Sequence, residues 1–320
     1  MKSIYLMAVA MSTVVLMACG GTAGNRSKEK AGAGKTGVAG GVDSELPLPV
    51  IPAEITEPVD RADYMMAHFW DAMDFADHRL CLDTAFMEQN YVNFVQLQDF
   101  GTEDGARRAV GGMLAGAAKD EAAFAMVQYV SERYLNDPES PMRNEDRWIM
   151  FLEELLRMPD LPDDDRLRPT ALLATARKNR PGAVAADFTY VTRDGRQQKL
   201  HETRAQRTLL LFYDPACGHC EAVLNGLRDD GRLRRLISRG RLRLLAVCAE
   251  EDRALWNRTK GEMPREWIVG YDLSGILKNG LYSLPAMPTI YVLDADKTVI
   301  LKDPRMDVLD RWIGNEAAGS

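Results

Sequence analysis

Cysteine is scarce in this chain, with five in 320 residues. That is too few for a fold stapled together by disulfides. The sequence has neither a second C-x-x-C nor an H-x-x-x-H, so a four-ligand zinc site has no second half to draw on. Surplus positive charge is lacking too, and a net charge of −7 argues against a nucleic-acid binder. No long hydrophobic run exists beyond residues 4–18, which are too few for a comfortable membrane span. Gly32, Gly34 and Gly37 spell G-x-G-x-x-G. The surrounding sequence supplies no strand before them and no helix after, so the phosphate-cradle reading fails.

What is present begins with an address. Met1-Lys2 gives a positive start, and Ile4 to Ala18, apolar but for Ser12 and Thr13, fits a signal peptide over 1–18. Leu16-Met17-Ala18-Cys19 resembles the bacterial lipobox, in which cleavage precedes a cysteine that is then acylated. The resemblance implies a mature chain starting at Cys19, lipid-anchored in the cell envelope and facing the oxidising periplasm. Gly20 replaces the Asp that would resemble an inner-membrane retention signal, which favours the outer membrane. Residues 19–59 read as tether and linker. A Gly-, Ala-, Lys- and Thr-rich stretch comes first, and Pro47, Pro49, Pro52 and Pro58 then stiffen it.

Length suggests about two domains beyond the tether. Residues 60–180 carry a helical period throughout. Met65, Phe69, Ala72, Met73, Ala76 and Leu80 share one face of a first helix, with Asp71, Asp74 and His78 opposite; with His68 and Asp77 nearby a metal site is the competing reading there, and a solvated face the better one. Asp83, Thr102 and Asn144 are expected to cap later helices, and Asp137-Pro138 to stop one. Gly111, Gly112 and Gly116 would permit close helix packing. No chemistry is evident in this block, and a scaffold or partner-binding role is the default. Its aromatic, Asp-rich start and Arg143-Asn144-Glu145 resemble the uncharacterised helical domain found ahead of thioredoxin-like domains in some envelope lipoproteins.

Residues 181–320 alternate strands and helices around one stretch. The run 209–213 reads as a buried strand, Asp214-Pro215 ends it, and Cys217-Gly218-His219-Cys220 opens a helix. A helix start favours negative charge on Cys217, and Cys220 lies one turn on, within reach for a disulfide. A zinc half-site and an inert structural disulfide are the competing readings of the pair.

The strand–C-x-x-C–helix order resembles the thioredoxin superfamily, and Gly218-His219 matches the dipeptide of protein disulfide isomerase. Pro-Gly, Asp-Phe and Asp-Gly ahead of the motif resemble the TlpA/ResA-type anchored thioredoxins. Pro288, just before the strong strand 289–293, resembles the cis-proline that faces the cysteines in such folds, with Met287 pairing with an extended substrate. The resemblance implies an α/β thioredoxin-like fold preceded by an all-α domain. It also implies a thiol–disulfide oxidoreductase needing no cofactor or metal, with Cys217 and Cys220 catalytic. Its partners would be disulfide- or dithiol-bearing envelope proteins.

Two features point in opposite redox directions. His219 suggests an oxidase or isomerase, with a potential of about −180 mV against about −270 mV for thioredoxin; the anchored layout suggests a reductase. Two residues depart from the family pattern: Ala216 stands where a Trp is usual, and Leu211 where thioredoxin buries an acid, with Glu221 or Glu250 as possible substitutes. Cys81 and Cys248 read as small buried apolar residues, and the arginines between 228 and 243 as a solvated face. The rival function is a non-catalytic lipoprotein adaptor, its helical domain binding a partner and its thioredoxin-like fold a scaffold.

Overall fold

Capping side chains, more than apolar periodicity, set the helix boundaries in the computed structural model, which describes residues 45–319. The signal peptide, Cys19, the glycine motif and most of the tether lie outside those residues. Helix α1 (Pro58–His68) opens on a proline, whose fixed φ suits a first turn. The apolar period predicts a helix continuing to Leu80, but α1 stops at His68. Asp74 accepts the Ala76 N–H at 3.0 Å and Asp77 accepts that of Arg79 at 3.0 Å. Such short-range bonds compete with the helix ladder. The chain restarts as the four-residue α2 (His78–Cys81). Phe69, Trp70, Met73 and Phe75 in the intervening turns are buried, so the apolar pattern was right about the core and wrong about the helix.

Helices α3 (Thr84–Leu97), α4 (Glu103–Ala117), α5 (Glu121–Leu135) and α6 (Glu145–Arg157) follow. They start at Asp83, Thr102, Asp120 and Asn144, each of whose side-chain oxygens accepts the N–H three residues on. Each such cap contributes about 1 kcal/mol. Helix α7 (Asp163–Ala176) begins with three aspartates, favoured at the positive end of the helix dipole. Close packing falls on Gly116, where a Cβ would come within 2.9 Å of the Phe75 ring; one on Gly112 would meet open space. The apolar faces meet in one core that includes Met66, Phe94, Leu114 and Phe151. Leu46, in the expected linker, joins this core, and its N–H donates to the buried Asn90 side chain at 2.8 Å.

The rest is a sheet built from β1 (Thr189–Thr192), β2 (Gln197–Lys199) and β3 (Arg207–Tyr213), followed by α8 (Gly218–Asp229) and α9 (Gly231–Ser238). Then come β4 (Leu242–Cys248), α10 (Arg253–Thr259), β5 (Ile268–Asp272), β6 (Thr289–Leu293), β7 (Val299–Lys302) and α11 (Met306–Ala318). The seven strands are ordered β2-β1-β5-β4-β3-β6-β7. Strands β3, β4 and β5 run parallel; β1, β2, β6 and β7 add antiparallel edges. Alternation along β3 sends Leu209, Leu211 and Tyr213 to one core, and Leu210 and Phe212 to the other. Both faces are therefore covered. The helices are latched to the β7 edge: Lys302 Nζ meets Glu145 at 2.7 Å and donates to the Ala176 and Lys178 carbonyls at 2.8 and 2.7 Å. Arg143 pairs with Asp303 at 2.6 Å beside it, and the described residues belong to one compact unit.

Candidate active site

Strand register assembles the site. Phe212 of β3 lies opposite Thr289 of β6 in the antiparallel pair, so the residues after Phe212 face those before Thr289. The first group leads to Cys217 and the second contains Met287-Pro288, whose peptide bond is cis. Asp214 closes the turn between strand and helix. Its side chain accepts the Ala216 N–H at 2.8 Å and its carbonyl that of Cys217 at 3.1 Å.

Cys217 is the N-cap of α8. Its sulfur accepts the Cys220 N–H at 3.3 Å and, as a thiol, donates to the Met287 carbonyl at 3.6 Å. A sulfur thus occupies the place usually taken by a capping oxygen, where unpaired N–H groups converge. Cys217 is half-buried and Cys220 only 1 % exposed. Gly218 and His219 are exposed in the first turn of α8. A cavity of about 290 Å³ opens beside Cys217, walled by Tyr213, Asp214, Glu221 and Met263. All four cysteines among the described residues are free.

Burial pushes the Cys220 thiol up to about 12; a backbone bond from Asp214 opposes the rise, and the charges of Cys217 and Asp214 add to it. The carboxylate bearing on the inner sulfur is therefore that of Asp214, a residue the sequence offered only as a strand terminator. Leu211, where an acid was looked for, is fully buried among apolar side chains. Cys248 ends β4 in register with Tyr213, and burial pushes its thiol up to about 11. The Tyr213 hydroxyl is buried, and burial followed by the nearby Cys248 raises its pKa, with the Trp256 side chain opposing the rise. Cys81 belongs to the helical core and Cys248 to the sheet core, each as a free buried thiol. Of the arginines read as a solvated face, Arg232 pairs internally with Asp230 at 2.8 Å and with Asp310.

Away from the thiols, Ser283, Leu284 and Pro285, just ahead of Met287, form one wall of a cleft of about 550 Å³ whose other wall is helical, including Tyr129, Arg133 and Leu172. Where α2 meets the start of α5, His78, Cys81 and Asp120 place one ligand atom each within 4.8 Å of one another, a group among the described residues able to hold a metal ion. No helix among the described residues is long and apolar enough to cross a membrane.

A family defined by a domain of unknown function (DUF5106) matches residues 18–179. A thioredoxin-like protein from Bacteroides caccae is 33% identical, with a TM-score of 0.76, over 84% of this chain and 98% of that one. A conserved protein of unknown function from Bacteroides fragilis is 39% identical over 42% of this chain and 98% of its own, with a TM-score of 0.41. The thioredoxin domain of a thiol-disulfide oxidoreductase from Bacteroides vulgatus is 18% identical over 43% of this chain and 98% of its own, with a TM-score of 0.39. Curated proteins gave no match.

Proposed function

The chain belongs to the thioredoxin-like proteins headed by a DUF5106 domain, and from that premise we propose that it exchanges disulfides with other proteins through Cys217 and Cys220. The Cys217 thiolate attacks one sulfur of a substrate disulfide; that bond breaks, and the departing substrate sulfur leaves as a thiolate and takes a proton from water. Cys220, once deprotonated, attacks the Cys217 sulfur of the mixed disulfide, releasing the second substrate thiol and leaving a Cys217–Cys220 disulfide. The same steps reversed oxidise a substrate dithiol. Met287 and Pro288 form the wall along which an extended substrate segment lies.

The observation that supports this reading best is the position of the Cys217 sulfur. It is accessible, caps a helix and lies 3.6 Å from the Met287 carbonyl, with a second thiol buried one turn behind it. Insulin reduction driven by dithiothreitol tests it: wild type accelerates precipitation and Cys217→Ala does not. Equal rates in the two proteins leave the adaptor reading in place. The lipobox supports anchoring through Cys19 in the envelope, with periplasmic proteins as partners. Palmitate incorporation that disappears in Cys19→Ala is the expected result in a bacterial host.

A further inference from the structure

Helix α2 and the start of α5 meet through three side chains that thiol chemistry does not use. His78 Nε2 lies 2.9 Å from Asp120 Oδ2, and the Cys81 sulfur is the third atom of the group lying within 4.8 Å. We propose that His78, Cys81 and Asp120 bind a zinc-class divalent cation that ties α2 to α5.

Bond lengths of about 2.3 Å to sulfur, about 2.0–2.1 Å to imidazole and about 2.0–2.2 Å to carboxylate place tetrahedral ligand atoms about 3.3–3.6 Å apart. The His78–Asp120 separation of 2.9 Å is shorter than that range and all three atoms lie within 4.8 Å, so the set closes on an ion by side-chain adjustment. Two of the three ligands are fixed beforehand. Asp120 spends its other oxygen on the Ala123 N–H at 3.0 Å, which orients the carboxylate. Cys81 has no exposed surface and is held by its backbone bond to the Asp77 carbonyl at 3.0 Å. His78, 54% exposed, is the adjustable one, and its open side admits a water as fourth ligand.

The pairing of His78 with Asp120 accounts for those two residues alone. It leaves the buried Cys81 sulfur beside them without a role. A divalent cation held by all three gives the sulfur one, and binding displaces the thiol proton to solvent. Thiolate with imidazole selects zinc-like ions over magnesium or calcium, which take all-oxygen shells.

The test uses the intact chain carrying Cys217→Ser and Cys220→Ser, so that the redox pair cannot compete. Cobalt(II) added to this protein is expected to saturate at one equivalent with a thiolate-to-cobalt charge-transfer band in the near ultraviolet, and zinc to displace it. Cys81→Ala abolishes the band. His78→Ala and Asp120→Asn, the latter keeping the cap oxygen, each weaken binding at least tenfold while circular dichroism stays unchanged. Absence of a saturable band, a band surviving Cys81→Ala, or full affinity in both surface variants overturns the proposal.

Discussion

Four cysteines share one residue type and differ only in surroundings. Burial pushes Cys220 up to about 12, so at pH 7 it is held as the thiol. With Cys81, Cys220 and Cys248 at most 1% exposed, iodoacetamide at neutral pH should modify Cys217 first among the described cysteines, as peptide mass mapping would show. Modification of Cys220 or Cys248 at a comparable rate would contradict the packing. Asp214→Asn keeps the turn's acceptor and the backbone donor but removes a negative charge, so the Cys220 pKa should fall. The pH dependence of the resolving step in the two proteins reads the shift. The cysteine pair at the start of α8 was legible because C-x-x-C is local. Asp214 was not, since the sequence could show that it ended a strand but not that its charge would bear on Cys220.

Helices were legible at their starts. Asp83, Thr102 and Asn144 were readable as caps because the cap and the N–H it satisfies are three residues apart. The break after His68 was hidden because the apolar spacing runs on past it, while Asp74 and Asp77 win the backbone locally. Asp230 ends α8 and caps α9, accepting the N–H groups of Arg232 and Leu233. Burial would raise its pKa, but the Arg232 bonds and those N–H groups outweigh burial and hold it below the usual 3.8. Its stabilising contribution is therefore complete above about pH 4 and is lost as pH falls through the lowered value. Asp230→Ala should cost about 1 kcal/mol in urea unfolding at pH 7. Asp230→Asn should keep the cap and flatten the loss of stability in acid. A stability–pH curve parallel to wild type would refute the linkage.

At the scale of the whole molecule, the alternation of strands and helices was legible in residues 181–320, whereas the strand order and the attachment of the helices to the sheet were not. Lys302 and Glu145 are 157 positions apart in sequence (302 − 145), and a lysine closing a strand reads as solvated until its 4% side-chain exposure is seen. Burial raises the Glu145 pKa and lowers that of Lys302, each opposed by the partner. Removing one partner strands the other charge, so Lys302→Met should cost about 3–5 kcal/mol, and adding Glu145→Leu should recover much of it. Guanidinium unfolding of the single and double variants measures both. The central claim, that Cys217 is the sulfur that meets the substrate and Cys220 the one that releases it, is tested most directly by trapping. Cys220→Ala incubated with a disulfide-bearing protein should accumulate a mixed disulfide that mass spectrometry assigns to Cys217 and reductant removes. No adduct, or one carried by another cysteine, would contradict the account.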